Sequence, residues 1–218
     1  MEVNHNPEMH DWVLERLREE RQKPKPSPHA TQLIYCLTSS YHDLIDPLPL
    51  TEKEILMFSV GFGMERLMLG KYEDHPVKKD GIYVSPDLSM SEFAADPSEG
   101  GELKTTRGRP PGPGGILDIP EGWKKQIMAG CHVLGVLQYN LAVVHIVQPA
   151  LSTWHLKFNL VELEDNWEWI KSRLVTLMDF MSKGEVPTPF KHNMEWECNW
   201  CRYKPRCDLS RMASRSAG

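Results

Sequence analysis

The sequence lacks the features that direct a protein into a membrane or out of the cell. No apolar run approaches the ~18 residues that are needed to cross a bilayer. The first residues, Met1 to His5, contain no basic segment followed by an apolar one. We therefore expect a cytoplasmic protein. The 218 residues show no internal repeat and are 40% hydrophobic and 25% charged, which is typical of a globular chain with one sizeable core.

A Walker-type phosphate-binding loop, G-x4-G-K-[ST], is also missing, so any helicase or ATPase activity would have to come from a partner. The net charge of -5 argues against a protein that coats nucleic acid along its whole surface. A net charge of this size still allows a local basic surface. Aromatic and basic side chains interleave with cysteines near residue 200, which suits either single-stranded nucleic acid or a shielded cysteine site: Trp196, Trp200, Arg202, Tyr203, Lys204 and Arg206.

Cysteine is scarce and odd in number, with five in the chain. Three of them, Cys198, Cys201 and Cys207, form the pattern C-x2-C-x5-C. Because a reducing cytosol disfavours disulfides, this pattern predicts a metal site rather than a disulfide framework. Three thiolates are one short of four ligands, and only Cys36 and Cys131 remain. Cys131 lies in an apolar helical segment, where we expect a buried free thiol.

Two kinds of metal site fit the cysteines. Zinc accepts tetrahedral thiolate or mixed thiolate and histidine ligands, and His192 or His29 could complete such a site. A 4Fe-4S cluster takes four thiolates at more varied spacings. Compact zinc sites usually use two close pairs of ligands, and this chain has no second C-x2-C pair.

The order of the predicted elements indicates an α/β fold with a mixed sheet covered by helices on both faces. We predict a helical arm and linker over 1–28, a core over 29–190 and a cysteine-rich segment over 191–218. Residues 107–120, rich in proline and glycine, are predicted to form a mobile loop. Helices are predicted over 7–23, from Ser27-Pro28 through Cys36, over 51–70, 121–137 and 165–183, and strands over 82–84, 101–106, 141–147 and 153–163. Thr51 and Glu54 are predicted to form a capping box at the start of the helix over 51–70.

A carboxylate and a lysine alternate on one predicted strand. Glu102 and Lys104 project from the same face, whereas Leu103 enters the opposite layer, because strand side chains alternate. Asp87 follows the preceding strand. Asp87 and Glu102 can supply hard oxygen ligands for Mg²⁺ or Mn²⁺, and Lys104 can orient or help to deprotonate a metal-bound water. A solvated sheet face carries the same alternation of charges, so the pattern alone leaves both interpretations open.

Two further residues extend the set of Asp87, Glu102 and Lys104 along the chain. Glu65 lies near the end of a preceding predicted helix, and Gln126 lies on a following one. The set resembles the PD-(D/E)xK nucleases, and more narrowly their RecB-like branch. In that branch one cysteine before the nuclease core and three after it hold an iron-sulfur cluster, as in the CRISPR-associated spacer-processing nucleases and related exonucleases. The resemblance covers about residues 29–210.

The resemblance implies a restriction-endonuclease-like core with an iron-sulfur subdomain. It implies a metal-dependent exonuclease or end-processing enzyme that hydrolyses DNA which is single-stranded or has single-stranded ends; protein partners in DNA processing are compatible with it. It assigns catalytic roles to Glu65, Asp87, Glu102, Lys104 and Gln126. Its Mg²⁺ or Mn²⁺ would be bound by Glu65, Asp87 and Glu102, and its 4Fe-4S cluster by Cys36, Cys198, Cys201 and Cys207.

The chain departs from this pattern in two places. Many RecB-like members have a histidine where this chain has Glu65, and their helical glutamine is commonly followed four residues later by tyrosine, whereas Gln126 is followed by Gly130. Two alternatives remain beside the nuclease: a binding module on the same fold without activity, and the same nuclease with zinc at the cysteines. The basic residues around the predicted loop would either gate the substrate or lie in solvent: Arg107, Arg109, Lys124 and Lys125.

Overall fold

The protein has a mixed α/β structure, as predicted. The computed structural model describes residues 7–19, 27–69, 76–87, 100–111, 118–188 and 195–208. The helices are α1 (Pro7–Glu19), α2 (Ala30–Ile34), α3 (Leu37–Ile45), α4 (Glu52–Leu69), α5 (Glu121–Leu134), α6 (Leu160–Lys183) and α7 (Glu195–Trp200), and the strands are β1 (Val77–Lys79), β2 (Ile82–Val84), β3 (Gly100–Thr106), β4 (Gln138–His145) and β5 (Ala150–Lys157).

The chain forms two compact units, one of residues 1–25 and 49–72 and one of residues 26–48 and 73–218. The boundaries predicted at 28 and 190 stay a prediction. The first unit contains α1 and α4, which are joined by a contact of 3.2 Å between the His10 ring and a Glu52 carboxylate oxygen. Nowhere in the described ranges is a helix both long and apolar enough to cross a membrane.

The start of α4 confirms the predicted capping box. The N–H of Thr51 donates to Glu54 Oε2 at 2.8 Å, and the N–H of Glu54 donates to Thr51 Oγ1 at 3.3 Å. This reciprocal arrangement satisfies two of the N–H groups that the first turn of a helix leaves without an intrahelical partner. The predicted end at Gly70 and the predicted extension of α1 to residue 23 lie outside the described residues.

The sheet of the second unit contains three strands in the order β3-β4-β5. β3 is parallel to β4, and α5 lies between them in sequence; β5 is antiparallel to β4. At the start of β3 only glycine fits, because a Cβ on Gly100 would lie 2.3 Å from Cε2 of Tyr139 on the neighbouring strand. β1 and β2 form a separate antiparallel pair.

Two apolar clusters hold the second unit together. One joins α2, α3, β2 and α6 around Leu33 and Trp167. The other packs α5 onto the sheet through Ile127, Tyr139 and Val143. The second cluster places one face of α5 against β3 and β4. Gln126, a polar residue of α5, contacts Glu102 on β3.

Several predicted element boundaries were wrong. β4 and β5 begin three residues earlier than predicted and end earlier too, and α6 begins at Leu160 rather than residue 165. The early start of α6 is explained by a capping box at Asn159. The Asn159 side chain accepts a hydrogen bond from the N–H of Glu162, and the Glu162 side chain accepts one from the N–H of Asn159, both at 2.9 Å. α5 ends at Leu134 because Gly135 takes the left-handed conformation, with φ 71°.

The helix predicted to carry Cys36 is in fact two helices. α2 starts after the N-cap residue His29 and ends before Tyr35, and Cys36 is the N-cap residue of α3. The Arg173 guanidinium of α6 reaches this break and donates to the carbonyls of Leu33 and Tyr35. Cys36 therefore lies at a turn between helices rather than on a helical face.

Replacing Arg173 with methionine should destabilise the second unit by about 2 kcal/mol. Arg173 is only 8% exposed, and its loss leaves two carbonyl groups without their donor, at a cost of roughly 1–3 kcal/mol for each buried group before relaxation. Urea unfolding followed by circular dichroism measures the change. Arg107→Met is the control, since Arg107 is exposed and its replacement should change stability by less than about 0.5 kcal/mol. Equal stabilities of the two variants would contradict this role for Arg173.

Candidate functional site

Glu102, Lys104 and Gln126 form a closed set of hydrogen bonds. The Lys104 ammonium group donates to Glu102 Oε1 and, at 3.1 Å, to Gln126 Oε1. The Gln126 amide donates to the same Glu102 oxygen at 2.7 Å. The first two residues meet because β3 places them on one face, as predicted, and the packing of α5 onto the sheet adds the third. Glu102 is only 2% exposed, which rules out the solvated sheet face for this residue.

Asp87 reaches the same strand from the end of β2. Its Oδ2 accepts a hydrogen bond of 2.9 Å from the N–H of Leu103, the residue between Glu102 and Lys104. Asp87 thus contacts the backbone of β3 directly after Glu102. Mg²⁺ is commonly held by one or two carboxylates, with water and phosphate oxygens completing its shell. The oxygen donors of Asp87 and Glu102 therefore fit a hard divalent cation.

Lys104 carries a positive charge in this arrangement. Burial alone would lower the pKa of its ammonium group, but the carboxylates of Glu102 and Asp87 and the hydrogen bond to Glu102 outweigh burial, so the pKa is raised above its usual value. A protonated Lys104 donates hydrogen bonds and offsets negative charge. It is better suited to orienting a water molecule or a phosphate group than to removing a proton.

The remaining residues predicted for the site are placed as follows. Glu65 lies on α4, in the first unit, so its part in a metal site stays a prediction. Arg107 and Arg109 are exposed just after β3, whereas the middle of the predicted gating loop, 112–117, lies outside the described residues. Lys125 points towards the Trp169 ring, with its Nζ 4.0 Å from the ring centroid.

The segment after α7 is fastened to α3. Asp43 accepts hydrogen bonds from the Arg202 guanidinium and the Tyr203 hydroxyl. Arg206 forms an ion pair of 2.9 Å with Asp46. Tyr203 is fully buried, and its hydroxyl accepts from the N–H of Leu48 at 3.1 Å. The two arginines thus serve to bind this segment to the fold, which was not expected from the charge pattern.

The five cysteines differ in burial and in their surroundings. Burial raises the pKa of the Cys201 thiol, and nearby Cys36 and Cys198 raise it further. No group of three or more Cys, His, Asp or Glu side chains among the described residues is arranged to hold a metal ion, so the ligand set of Cys36, Cys198, Cys201 and Cys207 stays a prediction. Cys207 is half-buried on the same segment. Cys131 lies elsewhere, fully buried in the α5 cluster, where desolvation raises its pKa to about 12.

Glu197 on α7 lies near the turn that carries Cys36. Burial raises the pKa of the Glu197 carboxyl group, whereas the backbone of Cys36 lowers it. By contrast, His29 contacts hydroxyl groups with both ring nitrogens, those of Thr31 at 3.0 Å and Ser85 at 3.1 Å. A histidine engaged in this way is poorly placed to complete a zinc site. His192, the other histidine considered for zinc, lies outside the described residues.

Sequence reasoning missed Tyr35, which lies between these two groups of residues. Its backbone carbonyl is held by Arg173, and its ring packs on Gly122 in the first turn of α5. Lys104 and Glu102 both influence its hydroxyl electrostatically. Only its position beside Cys36 could have drawn attention to it, because the contact with Gly122 joins residues far apart in the sequence.

Comparison with known proteins supports the fold alone. No protein-family model matches the chain, and no curated protein matches it. A solved structure described as "Crystal structure of SSO0001" is similar over 91% of this chain and 95% of that chain, with a TM-score of 0.54 and 15% sequence identity. At that identity the similarity shows a shared arrangement of helices and strands, and it indicates neither an activity nor a ligand for this chain.

Proposed function

We propose that this protein is a metal-dependent DNA nuclease of the PD-(D/E)xK type that hydrolyses phosphodiester bonds at or near DNA ends. The observation that carries the proposal is the buried Glu102, joined to Lys104 and Gln126 and flanked by Asp87. Burying a carboxylate and an ammonium group costs several kcal/mol for each ion unless they are paired. A sheet that needed only stability would more simply place apolar side chains here.

The residues of the site divide the work of hydrolysis. Asp87 and Glu102 would hold Mg²⁺ or Mn²⁺, which supplies charge neutralisation and lowers the pKa of bound water. Lys104, as an ammonium group, orients the attacking water and offsets charge on the phosphate oxygens. Gln126 keeps Lys104 and Glu102 in place. Attack forms one bond from the water oxygen to phosphorus and breaks the bond from phosphorus to the leaving sugar oxygen, which takes up a proton.

The second part of the proposal is a structural 4Fe-4S cluster bound by Cys36, Cys198, Cys201 and Cys207. It is supported by the binding of residues 202–206 to α3 and by the electrostatic interaction of Cys36 and Cys198 with the Cys201 thiol. The cluster would fasten the turn before α3 to the segment after α7. A role in holding the fold, rather than in carrying electrons, follows from that position.

An assay on end-labelled DNA tests the nuclease. The wild-type protein, purified anaerobically and supplied with Mg²⁺ or Mn²⁺, should shorten single-stranded DNA or duplexes with single-stranded ends, and EDTA should stop the reaction. Labels at the 5′ and the 3′ end reveal the direction of cutting in the same experiment. If the protein binds these substrates and leaves them intact under all conditions, it is a binding module and the nuclease proposal is lost.

A further inference from the structure

Tyr35 is held against the helix that carries Gln126. A Cβ on Gly122 would lie 2.8 Å from Cε1 of Tyr35 and 3.1 Å from its hydroxyl oxygen. Because real Cβ atoms do not approach other atoms below 3.0 Å, the ring occupies space that only a glycine leaves open. The other end of the residue is fixed as well, since Arg173 donates to its carbonyl oxygen. Both the backbone and the ring of Tyr35 are therefore held in place.

The contact with Gly122 puts the phenol ring close to the proposed active site. Gly122 and Gln126 are four residues apart on α5, so they lie on the same face of the helix. Gln126 in turn donates to Glu102 and accepts from Lys104. Lys104 and Glu102 both interact electrostatically with the Tyr35 hydroxyl, so the hydroxyl lies near both charged residues of the site.

The proposed site offers a phosphate group few hydrogen-bond donors. The carboxylates of Asp87 and Glu102 can only accept, and Lys104 already directs two of its hydrogen bonds to Glu102 and Gln126. A tyrosine hydroxyl donates one hydrogen bond without adding a charge. Because the ring is already fixed between the α2–α3 turn and α5, donating from it costs little side-chain entropy. Tyr35 is also partly exposed, so a substrate can approach it.

We propose that Tyr35 is a substrate-contacting residue of this site, whose hydroxyl donates a hydrogen bond to the phosphate group that is hydrolysed beside Glu102 and Lys104. The inference rests on the proposed nuclease function and adds a residue from outside β3 and α5. It also gives the cysteine segment a connection to the chemistry, because Tyr35 is covalently joined to Cys36.

The test is Tyr35→Phe, which removes the hydroxyl and keeps the ring on Gly122. With Mg²⁺ and a short single-stranded substrate, kcat should fall roughly tenfold, the effect of losing one hydrogen bond that forms in the transition state. KM should stay within about twofold. Iron and sulfide per chain and the melting temperature should remain those of the wild type. Tyr83→Phe, on β2, is the matched control and should leave kcat unchanged.

A second variant displaces the ring instead of removing the hydroxyl. Gly122→Ala favours the helix intrinsically, yet its methyl group must push the Tyr35 ring aside. It should lower kcat at least as much as Tyr35→Phe does and should have little further effect when combined with it. If Tyr35→Phe retains wild-type kcat, or loses activity only in proportion to lost iron and sulfide, the inference about Tyr35 is overturned while the nuclease stands. A wild-type protein that cuts no DNA would overturn both.

Discussion

Replacing Lys104 with methionine should reduce the rate of DNA cleavage by about 10²- to 10³-fold, the usual cost of removing one preorganised group that stabilises charge in a transition state. Methionine keeps much of the length of lysine and removes the charge. The Lys104 ammonium group lies between Glu102 and Gln126, so its loss removes both the cation near the phosphate and the donor that orients the other two side chains. Single-turnover cleavage of end-labelled DNA measures the change.

Two controls separate catalysis from folding in this variant. Lys157→Met removes an exposed lysine at the end of β5 and should cut DNA at the wild-type rate. Because Lys104→Met leaves Glu102 buried without its cation, some loss of stability is expected, and rates should be compared well below the melting temperature of each protein. DNA binding measured with Ca²⁺ in place of Mg²⁺ should persist. A Lys104→Met protein that is folded and cuts as fast as the wild type would rule out the proposed site.

Replacing Cys201 with alanine should abolish binding of the proposed 4Fe-4S cluster and destabilise the protein by several kcal/mol, since the binding energy of a structural metal contributes directly to folding. Cys201 lies near both Cys36 and Cys198, so its loss affects the centre of the proposed ligand set. The broad visible absorption of a 4Fe-4S cluster should disappear, and thermal unfolding should shift to lower temperature. Activity should be lost as a consequence of unfolding.

Cys131→Ala is the matched control, because it also removes one thiol but from the interior of α5. It should retain the iron and sulfide content of the wild type and lose only about 1 kcal/mol of stability through the small cavity. Anaerobic purification followed by quantification of iron, sulfide and zinc per chain decides the nature of the site. One zinc per chain without sulfide would replace the cluster with a zinc site, and neither metal in the wild type would remove the site altogether.

The parts of the structure that local rules govern were predictable. Alternation along β3 placed Glu102 and Lys104 on one face, and the Thr51 and Glu54 pair marked the start of α4. The same kind of rule would have set the start of α6, since Asn159 and Glu162 form an equivalent box. The start of α6 was predicted wrongly because the preceding strand was extended to residue 163, past the Asn159 capping residue at which the helix begins.

The parts set by distant contacts could not be predicted from one sequence. No local sequence signal marks the break between α2 and α3 before Cys36. The carbonyl groups at this break accept hydrogen bonds from Arg173, which is about 140 residues away in the chain. The position of Tyr35 depends in the same way on the absence of a side chain at Gly122. Helix propensity and hydrophobic periodicity describe neighbours in the chain, whereas these two features depend on how α5 and α6 pack.

The contact between α3 and the segment after α7 also determines at which stage of synthesis the protein can finish folding. Arg206 and its partner Asp46 are 160 residues apart, and a chain grows from its N-terminus at about 5–20 residues per second. For roughly ten to thirty seconds of synthesis, the turn that holds Cys36 exists without residues 198–207. The long loop that joins them must close before these contacts repay its entropy. The proposed cluster would therefore be loaded only after these residues have been synthesised. Until then the nascent chain exposes the surface of α3 that Tyr203 later covers.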